Sequence, residues 1–142
     1  MKSFIKTFSL ILVLLSIGTA AKTQDNGAGH KIVFQLTDNN PSSQKSLTNQ
    51  LKNLTKGWPE AQFEVVVHSA GISYLHKSKT QHASEIRALS DLGVEFKACE
   101  NTLEAKNISK NEILDVAGFV PMGIGEVALK QEADWSYIKA GL

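Results

Sequence analysis

The chain contains one cysteine, Cys99, which directly follows residues 94–98, a segment whose alternating apolar and charged residues predict a β-strand. His68 ends a second strand-like segment, residues 63–68, which is rich in valine. A thiolate is a nucleophile and can carry sulfur, and a histidine near neutral pH can orient or deprotonate a ligand. The two strand ends lie about 5 Å apart if the strands are neighbours and about 10 Å apart if another strand separates them. The sequence alone therefore leaves the distance between His68 and Cys99 open.

Three interpretations of Cys99 follow from its position. The first is a reactive thiolate. A helical turn is predicted to start near Asn101, and the positive end of its dipole stabilises a thiolate, although the carboxylate of Glu100 opposes this effect. Free cysteine is also among the most buried residue types, so the second interpretation is a small core residue. The third is an intermolecular disulfide, as an unpaired cysteine in an exported protein can form.

Other polar residues are predicted to share the edge of the sheet where ligands of parallel α/β proteins bind, the carboxyl ends of the strands. Asp38 follows the first predicted strand, and Asn101 follows Cys99. We therefore take His68, Asp38 and Asn101 as candidate substrate-binding residues. The Gly-Ile-Gly segment, residues 123–125, could bind an anion at the start of a helix, but a permissive turn after Pro121 is the favoured interpretation.

No metal site or cofactor is predicted. One cysteine excludes an intramolecular disulfide framework and a multi-cysteine zinc or iron–sulfur site. The remaining histidines lack the i, i+4 spacing of a helical metal pair and are expected at the surface; they are His30, His76 and His82.

The elements that must position these residues alternate between strands and helices. Apolar segments predict five strands, at residues 32–36, 63–68, 94–98, 118–121 and 135–138. Helical patterns lie between the strands. The first helix starts at Asn40-Pro41, and the others cover residues 77–92, 102–106, 109–116 and 125–133. Such alternation builds right-handed βαβ units. The fold class is therefore α/β, a three-layer α/β/α sandwich with a mainly parallel sheet of about five strands and the last strand at an edge.

The N-terminal segment has the pattern of a signal peptide. Lys2 and Lys6 precede an apolar stretch, residues 8–17, and small residues follow it. The stretch is shorter than the roughly 20 residues of a membrane span. We expect a signal peptide over residues 1–21, a flexible leader over 22–30 and one domain over 31–142, with a periplasmic or secreted location and no stable membrane span after cleavage. An uncleaved N-terminal anchor is the alternative.

Composition excludes several function classes. The 142 residues carry a formal net charge of +1, and loss of two lysines with a signal peptide makes this slightly negative. Such a balance argues against nucleic acid and anionic membranes as partners. A hydrophobic fraction of 42% is too high for a disordered chain, and the length fits one domain with its own core.

The chain resembles the DsrE/DsrF-like sulfur-relay family, in its exported single-domain branch. The most specific segment is Gly-Val-x-Phe-x-x-Cys-x-Asn-Thr-Leu, residues 93–103. Weaker matches are the strand ends at residues 31–36, 65–72, 120–126 and 137–141. The family resemblance covers about residues 31–142.

This resemblance implies a three-layer, flavodoxin-like architecture that assembles into homotrimers or hexamers. It also implies that Cys99 occupies the position where sulfur-relay members carry a persulfide, with no metal and no nucleotide cofactor. Small sulfur species or a sulfur-acceptor protein are the implied partners. The alternative is a non-catalytic module that binds a small ligand or serves assembly, in which Cys99 is structural.

Overall fold

The computed structural model describes residues 25–141, and its centre is a five-stranded, all-parallel sheet. The order across the sheet is β4-β3-β2-β1-β5. In chain order the strands are β1 Lys31–Leu36, β2 Gln62–Val67, β3 Glu95–Cys99, β4 Ala117–Val120 and β5 Ser136–Lys139. The predicted edge position of the last strand is confirmed, and β2 and β3 are neighbours.

Helices cover both faces of this sheet, which confirms the three-layer α/β/α sandwich. They are α1 Pro41–Gly57, α2 Ala83–Asp91, α3 Glu100–Ala105 and α4 Gly123–Glu132. The predicted start of α1 is confirmed, because the Asn40 side chain caps it by accepting a 2.9 Å hydrogen bond from the backbone N–H of Ser42. Pro41 follows at the first helical position, where its missing N–H costs nothing.

The two faces of the sheet have different cores. One face packs against α1, α2 and α3 and holds most of the buried apolar side chains, including Phe34, Leu51 and Phe96. The opposite face packs against α4, where the buried apolar cluster consists of Val33, Val66 and Val127. Side chains alternate along each strand, so consecutive residues of β1, β2 and β3 face these two environments in turn.

The helix predicted over residues 77–92 is wrong in its first part, because α2 begins only at Ala83. A short 3₁₀ helix, Ser69–Tyr74, follows β2, and His76 then forms an isolated antiparallel bridge with Ile113. Because of this bridge, the backbone at His76 is extended and not helical. The surface position predicted for His76 is also wrong, since the residue is 5% exposed.

The capping box predicted at Ser109 and Glu112 is confirmed, but the helix that follows it is shorter than predicted. It is a single 3₁₀ turn, Lys110–Glu112, with both reciprocal hydrogen bonds of the box present. Ile113 leaves the helical path because it pairs with His76. The chain therefore reaches β4 through an extended segment.

The predicted signal peptide lies outside the described residues, as does the start of the predicted leader. The rest of the leader packs on the domain: the Glu60 N–H donates to the Asn26 carbonyl, and the His30 and Trp58 rings lie 4.5 Å apart. Within residues 25–141, no helix combines the length and apolar character needed to cross a bilayer.

Candidate functional site

The neighbouring positions of β2 and β3 bring His68 and Cys99 to the same place. Val67 pairs with Ala98 in the parallel register, so the residues that follow them stand side by side at the carboxyl end of the sheet. Val67 and Ala98 point into the large core. By alternation, His68 and Cys99 point to the α4 face.

A backbone hydrogen bond and the start of α3 favour negative charge on the sulfur of Cys99. The backbone N–H of Gly123, at the start of α4, donates to Sγ over 3.2 Å. The Thr102 hydroxyl and the backbone of Thr102 and Asn101 also lower the pKa of the thiol. Burial alone would raise the pKa of the Cys99 thiol, but these groups outweigh it and hold the pKa below its ordinary value. The sulfur is therefore suited to carry negative charge.

The carboxylate of Glu100, which was expected to oppose a thiolate, is neutralised by a nearby ammonium. Lys110, in the 3₁₀ turn after α3, forms an ion pair with it. The same ammonium lies 4.7 Å from the centre of the Phe119 ring. The capping box therefore has a consequence for the site, because it fixes the turn that carries Lys110.

The His68 imidazole is held by hydrogen bonds at both nitrogens. Its Nε2 lies 2.8 Å from the amide nitrogen of Gln35, and its Nδ1 lies 2.9 Å from the Ser69 hydroxyl. Because the Gln35 nitrogen can only donate, Nε2 accepts and the ring proton resides on Nδ1. Burial lowers the pKa of His68, which favours the neutral ring.

This arrangement differs from a cysteine–histidine pair, because both ring nitrogens of His68 are used elsewhere. The ring instead packs against the backbone of Gly123: a Cβ placed there would lie 3.0 Å from Cδ2 of His68. Gly123 therefore contacts both predicted residues, donating its N–H to Cys99 and accommodating the His68 ring. A glycine at this position permits the close approach of α4 to the strand ends.

Ser69, in the turn after β2, hydrogen-bonds to α3, the helix that follows Cys99. Its backbone is in the left-handed region, with φ of 55°, which is uncommon for a residue other than glycine. In this conformation its N–H donates to the Thr102 hydroxyl oxygen over 3.0 Å, and the Thr102 hydroxyl helps to lower the pKa of Cys99. The strained turn after β2 thus holds in place a side chain that acts on the thiol.

The other two predicted binding residues lie differently. Asn101 lies two residues after Cys99 in α3, where its backbone N–H donates to the Pro121 carbonyl over 3.2 Å and its side chain is exposed. Asp38 lies beyond the end of β1, separated from β3 by β2, and its Oδ1 accepts the backbone N–H of Asn40. The structure therefore brings Cys99, His68 and Asn101 together and leaves Asp38 apart from them.

Sequence reasoning missed Gln35, Ser69, Thr102 and Tyr137. The Tyr137 hydroxyl donates to the Gln35 side-chain oxygen over 2.5 Å although 102 residues separate them along the chain. One signal was readable: Gln35 is a polar residue inside an otherwise apolar strand, and such residues are buried only with partners. Tyr137 had no local signal, because its role depends on β5 returning beside β1.

Among residues 25–141, no group of three or more histidine, cysteine, aspartate or glutamate side chains is close enough together to hold a metal ion. A hydrogen-bonded thiolate at the end of a parallel strand can attack an electrophilic sulfur and retain it.

Comparisons with known proteins agree with this fold. The protein of unknown function MTH1491 from Methanobacterium thermoautotrophicum superimposes with a TM-score of 0.74 at 27% identity, covering 78% of this chain and 98% of that one. The protein of unknown function BT1422 from Bacteroides thetaiotaomicron gives a TM-score of 0.60 at 15% identity, covering 77% and 94%. The second likeness concerns the fold alone. No curated protein sequence matches the chain.

The sequence model of the DsrE/DsrF-like family matches residues 30–140. This match spans the whole sheet and every helix described above, including β3, Cys99 and the turn that follows it. The chain therefore belongs to the DsrE/DsrF-like family.

Proposed function

We propose that this protein is a sulfur carrier that holds sulfane sulfur as a persulfide on Cys99. The observation that carries the proposal is the hydrogen bond from the Gly123 N–H to Sγ of Cys99, at 3.2 Å. This bond and the nearby Thr102 hydroxyl lower the pKa of the thiol despite its burial, and a thiolate is the form that attacks sulfur. Membership of a family associated with sulfur relay supports the same chemistry.

The proposed loading step is a nucleophilic displacement. With thiosulfate as donor, the Cys99 thiolate attacks the outer sulfur, a new S–S bond forms, and sulfite leaves with the electron pair of the old S–S bond. In the unloading step an acceptor thiolate attacks the outer sulfur of the persulfide, and Cys99 leaves as a thiolate. Both steps conserve charge and need no external oxidant or reductant.

The burial of Cys99 restricts what can approach the sulfur. The residue is 5% exposed, so a donor must be small or must present its sulfur at the end of an extended group. The same burial weighs against an intermolecular disulfide, because two such sulfurs would have to come within bonding distance.

Intact-mass measurement tests the proposal. The chain is incubated with thiosulfate or inorganic polysulfide, and we expect an adduct of about 32 Da, one sulfur atom, that a reducing thiol removes. The Cys99→Ser variant provides the control, because it keeps the size of the side chain and loses the thiol. Absence of the adduct from the wild-type protein, or its survival in Cys99→Ser, would contradict a persulfide on Cys99.

A structural Cys99 is the second candidate, and the near-complete burial of the residue favours it. In that case the protein is a module that binds a small ligand or serves assembly. Thiol titration with a disulfide reagent at neutral pH separates the two candidates: the carrier reacts in the native state, whereas a core thiol reacts only after unfolding. Reducing and non-reducing gels test the intermolecular disulfide in the same samples.

We propose in addition that the chain forms a homotrimer or hexamer through α4 and β5. Three apolar side chains at α4 are more than half exposed, namely Met122, Ile124 and Leu129. All four residues of β5 are exposed at the sheet edge, where unpaired backbone groups favour association. Analytical ultracentrifugation should show an oligomer that Leu129→Lys disrupts and that the equally exposed Leu92→Lys leaves intact. A wild-type monomer would contradict this assembly.

The location remains a proposal from the sequence of the N-terminal segment. We propose that the carrier acts in the periplasm or outside the cell after cleavage near Ala20 or Ala21. N-terminal sequencing of the protein from fractionated cells should find the mature chain in the exported fraction. A chain that keeps Met1 in the cytoplasmic fraction would contradict export.

A further inference from the structure

A chain of hydrogen bonds crosses the sheet from its edge to the Cys99 site and has one direction. It begins at Tyr137 on β5, whose hydroxyl donates to the Gln35 oxygen over 2.5 Å. The Gln35 nitrogen lies 2.8 Å from Nε2 of His68, and Nδ1 of His68 lies 2.9 Å from the Ser69 hydroxyl. The amide orientation of Gln35 sets the direction, since its oxygen accepts from Tyr137 and its nitrogen donates to His68.

The direction of this chain determines the state of its last member. Because Nε2 accepts from Gln35, the neutral His68 ring carries its proton on Nδ1 and donates it to Ser69. The Ser69 oxygen is then an acceptor toward His68, and its own hydroxyl proton is free to be donated elsewhere. Ser69 is exposed to solvent at the end of β2, which lies beside the end of β3 that carries Cys99, and its N–H donates to the Thr102 hydroxyl in α3.

We propose that the Ser69 hydroxyl is a binding donor for a sulfur substrate that bears an oxyanion, such as thiosulfate, and that Gln35 and Tyr137 are positioning residues that keep this donor available. The inference rests on the proposed carrier function and adds the class of sulfur donor. In the loading step from thiosulfate the leaving sulfite gains negative charge on its oxygens. A hydroxyl donor fixed at the strand-end edge that also carries Cys99 stabilises that charge as it develops.

Two sulfur donors separate this role from general damage to the site. Thiosulfate has oxygens that can accept from Ser69, whereas inorganic polysulfide has none. For Ser69→Ala we expect persulfide formation from thiosulfate to slow by roughly 10- to 100-fold, the usual effect of losing a hydrogen bond to a charged group. Loading from polysulfide should change by less than about twofold, within the range of a neutral surface change.

The left-handed backbone of Ser69 requires a second variant. Ser69→Gly also removes the hydroxyl but accepts a positive φ without strain. Equal selective losses in Ser69→Ala and Ser69→Gly assign the effect to the hydroxyl. A loss in the alanine variant alone assigns it to the backbone and overturns the proposal.

Gln35→Leu tests the positioning role, with Gln44→Leu as the matched control. Both glutamines are nearly buried, at 8% and 7% exposed, and Gln44 donates to Ser73 away from His68. Nitrogen chemical shifts of His68 report its tautomer directly. We expect the Nδ1-protonated form in the wild-type protein and in Gln44→Leu, and a reduced share of it in Gln35→Leu together with slower loading from thiosulfate.

Tyr137→Phe should have the same sign and a smaller effect, because the Gln35 amide keeps its place but loses the group that fixes its orientation. Tyr74→Phe removes the other described tyrosine hydroxyl, which bonds to Thr48, and should leave the His68 tautomer unchanged. A wild-type ring protonated on Nε2, or equal slowing of both sulfur donors by Ser69→Ala, would overturn this inference and leave the carrier function standing. If neither donor loads the wild-type protein, the carrier function itself fails.

Discussion

The two faces of the sheet serve different purposes. On the α1 face the strands contribute large apolar side chains that are almost fully buried, such as Phe34 and Phe96. On the α4 face the buried apolar cluster consists of Val33, Val66 and Val127, and β1 and β2 also place polar side chains there, namely Gln35 and Glu64. The α1 face therefore supplies most of the hydrophobic stabilisation, while the α4 face carries the groups that can do chemistry.

The polar side chains of the α4 face form two groups at different positions along the strands. At the carboxyl end lie Gln35, His68 and Cys99, which form the candidate site. Further down, Glu64 is fully buried and its carboxylate lies 2.8 Å from the ammonium of Lys130 on α4. This ion pair helps to fix the helix whose first N–H reaches the Cys99 sulfur. We therefore expect substitutions in the α1 core to change mainly the free energy of unfolding, and substitutions near Cys99 to change mainly the reactivity of its thiol.

Removing apolar volume should give the largest effect, and a larger one on the α1 face. Leu51 is fully buried in the large core, so Leu51→Ala should cost about 2–5 kcal/mol of unfolding free energy. Val127→Ala on the α4 face should cost about 1–2 kcal/mol. Urea unfolding measures both. Equal losses would mean that the two cores contribute equally and would remove the contrast between the faces.

Adding a methyl group at Gly123 should disturb the site more than the fold. A Cβ there would lie 3.0–3.2 Å from three atoms of His68, which is held by Gln35 and cannot easily move, so Gly123→Ala should cost about 1–3 kcal/mol. Thiol alkylation should change as well. Gly125→Ala is the matched control because its Cβ meets only the flexible side chain of Met122, and it should change stability by less than about 1 kcal/mol.

Removing the Thr102 hydroxyl should affect reactivity with little effect on the α1 core. This hydroxyl helps to lower the pKa of the Cys99 thiol, so Thr102→Val should raise that pKa. Alkylation at pH 7 should then slow by up to about tenfold because less thiolate is present. Thr55→Val, which loses a hydroxyl on α1, is the control. An unchanged rate in Thr102→Val would exclude the hydroxyl from the stabilisation of the thiolate.

The smallest effect concerns Glu64 and appears as a pH dependence. Burial raises the pKa of this carboxyl above its usual range, although Lys130 acts in the opposite direction. The stability that protonated Glu64 contributes is therefore complete below the unfolded pKa and is lost as the pH rises through the folded pKa. Glu64→Gln stays neutral, so its unfolding free energy relative to wild type should increase with pH. Urea unfolding from pH 4 to pH 8 measures this difference, and a pH-independent difference would contradict the raised pKa.

The parts of the fold that follow local rules could be predicted from the sequence. Strand periodicity, the Asn40 cap and the Ser109–Glu112 capping box depend on neighbouring residues, and all three are confirmed. The helix predicted over residues 77–92 failed at its start because the bridge between His76 and Ile113 is a long-range contact. Local helical propensity yields to such tertiary pairing.

The residues of the candidate site also differ in whether local sequence could predict their positions. Cys99 and His68 could be placed at strand ends, because parallel strands gather their carboxyl ends at one edge. Their adjacency required the strand order, which two alternatives left open. Gln35 joins the site because β1 lies beside β2, and Tyr137 joins it because β5 returns beside β1. No spacing within the sequence encodes either pairing.

The pH dependence of Cys99 alkylation shows whether the α4 face stabilises the thiolate. Cys99 is the one cysteine of the chain, so the rate of modification by iodoacetamide in the native protein reports a single thiol. We expect a rate that rises with pH through a pKa below the ordinary value of a cysteine. A native thiol whose pKa is at or above that of the unfolded chain would contradict it.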